Sequence, residues 1–157
     1  MAMKHTALAA LTIIIALIFA ACGSSGEAAL TAEEFTSRLE GAGHIVEDFT
    51  HEFGSIPYLR LETALAASMD DLVVGVLIFE TAVSAKEIYD AFRQVLIDER
   101  ESASFYQETN LPNSDRLTKT ADGHHEVLIR AGNTIITIET TTENKDDAQA
   151  VLDLLGY

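Results

Sequence analysis

The chain predicts an α+β domain. One antiparallel sheet of about six strands carries about three helices on one face, in the order α-β-β-β-α-β-β-β-α. Three observations carry this. Residues 72–79 are apolar on both faces, as a strand in the middle of a sheet must be. The pairs Asp122-Gly123 and Gly132-Asn133 separate short strand-like segments, which is hairpin punctuation. Segments beginning at Thr31 and Ser84 each open with a capping box ahead of an apolar stripe, which is how a surface helix starts. A capped helix, a strand and a hairpin fill residues 31–80, and the same order recurs over 84–140. That order is compatible with a pseudo-twofold repeat, although the identity between the halves is too weak to read as a duplication.

Residues 1–21 do not belong to this domain. Lys4 supplies the positive start, and an apolar run from Ala7 to Ala21 is broken only by Thr12. That run is about 15 residues, the length of a signal-peptide core and short of the roughly 20 that span a bilayer. It ends in small residues, Ala20 and Ala21, directly before Cys22, the one cysteine in the chain. Gly23, Ser24, Ser25 and Gly26 follow, a small and polar tether that reaches to residue 29.

The stretch Phe19-Ala20-Ala21-Cys22 with its Gly/Ser tether resembles the leader of bacterial lipoproteins, and is similar to that of small lipoproteins of Gram-positive bacteria. Phe19 stands where that family usually has leucine. The resemblance implies cleavage between Ala21 and Cys22 and a diacylglyceryl group on the Cys22 sulfur. Two acyl chains anchor stably where one is marginal. It also implies a domain at the cell membrane, facing outside the cytoplasm. The competing readings are an ordinary secretory leader in which Cys22 is incidental, and an uncleaved anchor. Beyond residue 30 the resemblance is one of general shape and assigns no functional residue.

Residues 30–157 then read as one domain, long enough to bury a core. They are too few for a two-lobed solute-binding protein. The chain has net charge −15, and losing Lys4 with the leader makes it one unit more acidic. Such a surface disfavours nucleic acid and anionic lipid surfaces as partners. With Cys22 acylated, no thiol remains for a disulfide or for thiol catalysis.

The elements follow in order. Leu30 to Gly41 reads as a helix, with Thr31 and Glu34 as capping box and Leu30 against Phe35 as hydrophobic staple. His44 to His51 alternates like a strand, and Glu52 to Tyr58 is a connection containing Gly54 and Pro57. Leu61–Met69 and Leu72–Phe79 are strands around a turn at Asp70 and Asp71. Gly75 inside the second marks a bulge or a close approach by a helix. Val83 to about Ser104 reads as the longest helix, with Ser84 and Glu87 as box, Val83 and Ile88 as staple, and Ile88, Ala91, Phe92, Val95 and Leu96 as its stripe. Thr109 to Asp115 reads as a loop. Arg116–Ala121, Glu126–Ala131 and Thr134–Thr140 read as strands, and Asn144–Leu155 as the final helix, ended by Gly156.

No reaction is written in these elements. There is no nucleophile elbow, no Ser-x-x-Lys, no glycine-rich nucleotide loop and no tryptophan platform. His124 and Glu126 share a strand face whereas His125 points the other way, and two ligands do not make a metal site. The plainer reading of that stretch is a polar start to a hairpin. His51 sits at a strand end and is free to join residues from elsewhere, as is Tyr58. The acidic pairs Glu33-Glu34, Asp70-Asp71 and Asp146-Asp147 are explained by helix starts and a turn. Two functions stay open. The first is a non-catalytic module binding a protein or envelope component through a sheet edge or face, without cofactor or metal. The second is a small-molecule or metal binder, weakly an enzyme, with a pocket near His51, Tyr58, His124 and Glu126.

Overall fold

The computed structural model describes residues 29–54, 56–98 and 102–157. Cys22, Ala21, the leader and most of the tether lie outside the described residues. Helix α1, Ala32–Gly41, is followed by strand β1, Val46–Asp48, and the one-turn helix α2, Thr50–Phe53. A 3-10 turn at Pro57–Leu59 leads into β2, Leu61–Met69, and β3, Leu72–Phe79. Helix α3, Ala82–Asp98, then crosses to β4, Ala103–Leu111. Three more strands follow: β5, Ser114–Ala121, β6, His124–Ala131, and β7, Thr134–Thr141. Helix α4, Lys145–Leu155, ends the order.

The fold is α+β with a single open antiparallel sheet, in the order β1-β2-β3-β7-β6-β5-β4. Among the described residues it has seven strands, one more than the sequence predicts. The addition is β4, which the sequence assigns to a helix tail and a loop. Phe105, Tyr106 and Thr109 favour extended backbone. Pro112 and Asn113 form the tight turn from β4 to β5, not a loop. The strand expected over 44–51 is cut to three residues, because Asp48 accepts from the Thr50 N–H at 2.8 Å and turns the chain into α2.

The helices occupy both faces, not one. Phe35 and Leu39 of α1 and Ala148, Val151, Leu152 and Leu155 of α4 pack on Val74, Val76, Ile129, Ile136 and Ile138. On the opposite face, Ala85 and Tyr89 of α3 pack on Phe79, Leu117, Leu128 and Ile135. This three-layer arrangement removes the pseudo-twofold. A twofold relating the adjacent antiparallel strands β3 and β7 runs through the sheet and keeps related helices on one face. Here α1 and α3 lie on opposite faces, and β4 has no counterpart.

Local chemistry explains several of these boundaries. Thr31 accepts from the Glu34 N–H at 3.2 Å while Glu34 accepts from the Thr31 N–H at 3.0 Å, the expected box. Leu30 and Phe35 are both buried in one cluster. The box on α3 shifts: Thr81, not Ser84, accepts from the helix start, taking the Ser84 N–H at 3.1 Å. Val83 is 69% exposed, so no staple forms there. The stripe of α3 is also rotated. Ser84, Ala85 and Tyr89 are buried, Ile88 and Leu96 pack beside them, and Phe92 and Val95 face outward. Asp122 and Gly123 both have positive φ, 50° and 86°, the two-residue hairpin geometry those residue types allow. Gly75 answers a close approach by β7: a Cβ there would sit 2.9 Å from the Thr137 Oγ1, with no helix involved.

Candidate functional site

The predicted site residues fall in two separate places. His51 lies on α2 and is exposed, and Tyr58 in the 3-10 turn is 81% exposed. Both belong to the β1–β2 side of the sheet. His124 and Glu126 sit on β6, with β3 and β7 between them and β2. Three strand spacings separate β2 from β6, about 14 Å before any displacement along the strands. The four residues do not meet in one concavity.

His124 and Glu126 do share a face and a small cavity of about 420 Å³ with Lys119 and Glu139. Its polar groups are largely spent on each other. Glu126 pairs with the Lys119 ammonium at 2.9 Å, and the Lys119 side chain is only 2% exposed. The His124 Nδ1 is 3.9 Å from a Glu139 carboxylate oxygen, both at the surface. Among the described residues, no group of three or more His, Cys, Asp or Glu side chains is arranged to hold a metal ion.

The α3 face holds two stronger ion pairs. Arg130 donates to Asp115 at 2.6 Å with both side chains almost wholly buried. Arg93 on α3 grips Glu108 on β4 with two bonds, at 2.5 and 3.0 Å. The Tyr106 hydroxyl adds a third to the same carboxylate at 2.9 Å. The Arg93 bonds, with help from Asn110 and Tyr106, hold the Glu108 carboxyl at about 2, well below its ordinary value. Beside them the Tyr89 hydroxyl is buried with no hydrogen-bond partner among the described residues. Burial first, then the Asp115 and Glu108 charges, push this phenol far above its usual value. These groups fasten α3 and β4 to the sheet.

A further concavity lies on the other face, and sequence reasoning did not find it. Helix α4 seats over β7 and β6 and stops short of β5 and β4. Alternate residues of β4, β5 and the first half of β6 therefore face an open cleft of about 780 Å³ beside α4. Gln107 and Thr109 come from β4, Arg116 and Thr118 from β5, and His125 from β6. Phe105, Val127 and Leu152 supply apolar surface, and Lys145 and Asp146 stand at the α4 rim. The polar residues on both faces of β5 were the available signal, since a strand covered on both faces has no use for Arg116, Thr118 and Thr120 on one side.

His125 is held by a hydrogen bond between its Nδ1 and the Thr120 Oγ1 at 2.8 Å. Burial pushes its pKa down, and the nearby positive charges of Lys145 and Arg116 push it further, with Glu126 opposing. Thr120 and His125 are a cross-strand pair. No carboxylate hydrogen-bonds the second ring nitrogen among the described residues, so the third member of a hydrolytic triad is lacking.

No protein-family model matches the chain, and no curated protein matches it in sequence. Among solved structures, a GTP-binding regulator from Thermotoga maritima is similar in fold, with TM-score 0.51 and 14% identity. The match covers 80% of this chain and 87% of that one. The extracellular domain of PknH from Mycobacterium tuberculosis also aligns, with TM-score 0.36 and 12% identity, over 82% of this chain and 92% of that one. At this identity the first likeness shows a shared fold and nothing about ligand or activity.

Proposed function

We propose that the chain is a lipid-anchored binding domain of the cell envelope, displayed outside the cytoplasm and without catalytic chemistry. The observation that carries the binding role is the open cleft on β4, β5 and β6. There the helix-covered sheet is left concave, and its polar side chains are not all consumed by one another. The anchor rests on the leader residues, Phe19 to Cys22, and on the tether behind them. That tether would let the domain reach away from the bilayer while staying concentrated near it.

Hydrogen–deuterium exchange tests this reading. Amide exchange in residues 103–131 is compared between the chain in its own membrane and the purified full chain. The expected result is slower exchange in β4, β5 and β6 when the envelope is present. Identical exchange throughout would count against a resident ligand or partner on this surface.

A further inference from the structure

The charge on this molecule is not distributed as its composition suggests. The chain carries net charge −15. Among the described residues, Arg38, Lys86, Arg93, Lys119 and Arg130 each pair with a carboxylate. Arg116, Lys145 and the exposed Arg60 do not. Two of these three unpaired cations lie in the same cleft, with His125 beside them.

Arg116 is half-buried there. A guanidinium taken partly out of water without an acceptor loses hydration and gains nothing in return. In a chain with so many carboxylates, leaving it unpaired is unexpected unless the acceptor comes from outside. Its planar fork of donors matches the two oxygens of a carboxylate or phosphate-type group. Lys145, on the α4 rim, is placed to add a second positive charge, and Gln107 and Thr118 offer neutral hydrogen bonds. Phe105, Val127 and Leu152 give the same cleft an apolar wall. The cleft volume, about 780 Å³, falls in the range that small ligands occupy.

Building on the binding role, we infer that the cleft is a site for a soluble small organic anion. Its carboxylate or phosphate-type head meets Arg116 and Lys145, and its apolar or aromatic body rests on Phe105, Val127 and Leu152. The surrounding acidic surface favours one small anion over a polyanion. A long charged polymer would have to lie across carboxylates to reach the cleft, whereas a single head group enters where the local sign is reversed. Asp146 at the rim narrows the positive region further.

The test uses the full chain purified in non-ionic detergent and three probes: phenyl phosphate, phenol and inorganic phosphate, measured by equilibrium dialysis. Phenyl phosphate should bind best of the three and should weaken as salt rises. Arg116→Gln should weaken it by about tenfold or more, and Lys145→Ala by a smaller factor. Arg60→Ala, which removes an unpaired cation outside the cleft, should leave it unchanged. Circular dichroism of each variant separates lost binding from lost folding. Equal binding by the wild type and Arg116→Gln would overturn the inference. Phenol binding as tightly as phenyl phosphate would overturn the charge requirement while leaving the cleft a binding surface. Inorganic phosphate binding as tightly would overturn the apolar half. Anchoring is read independently, from the mass of the same preparation, so its failure cannot be mistaken for failure of the cleft.

Discussion

Asp115 and Arg130 show how single residues set the stability of this fold. Both are nearly inaccessible, and the guanidinium donates to the carboxylate at 2.6 Å and to the Gly132 carbonyl at 3.3 Å. Taking away one partner strands the other charge in the interior. Asp115→Ala should therefore cost about 3–5 kcal/mol in urea denaturation, whereas Asp115→Leu with Arg130→Met should cost far less. Glu108 makes a second residue-scale case. Its folded pKa, about 2, lies below the unfolded value, so its contribution is present above about pH 4.3. It is lost as pH falls from there through about 2. After allowance for solvent screening, the loss should be about 1–2 kcal/mol. Glu108→Gln should flatten that part of an acid denaturation curve, and an unchanged acid limb would contradict the assignment.

At the scale of elements, Gly75 on β3 leaves room for the Thr137 side chain on its paired strand β7 at the centre of the sheet. Gly75→Val should destabilise the domain by about 1–3 kcal/mol, because the new side chain meets the Thr137 Oγ1. Thr137→Ala in the same chain should recover part of the loss, as read from thermal unfolding. Leu72–Phe79 was legible in the sequence because a strand in the middle of a sheet leaves an uninterrupted apolar run, and Leu61–Met69 precedes it across the turn at Asp70 and Asp71 as expected. β4 was not legible. It is an edge strand, most of its residues are exposed, and its alternation is hidden by polar residues on both sides. The face of α3 was misread for a related reason. Tyr89 and Arg93, which reach a buried slot and Glu108, orient the helix more strongly than Phe92 and Val95 do.

For the whole molecule, the shared face of His124 and Glu126 was readable from the two-residue period of a strand, and the cleft was not. The cleft exists because α4 ends its coverage at β6 while the sheet continues to β5 and β4, and no local pattern reports where a distant helix stops. The helices divide between two faces for the same non-local reason. Both faces of β3, β6 and β7 are apolar enough to need covering, and α1 and α4 cover only one. The proposed function joins these observations in a tethered domain offering one cleft of reversed charge on an acidic surface. That proposal stands or falls on the tether at Cys22. Intact mass and membrane fractionation of the expressed chain, beside Cys22→Ser, test it most directly. The expected result is a membrane-bound chain that begins at Cys22 and carries a diacylglyceryl mass, both lost in the variant. An unmodified chain released from the membrane, with a free thiol at Cys22, would contradict it.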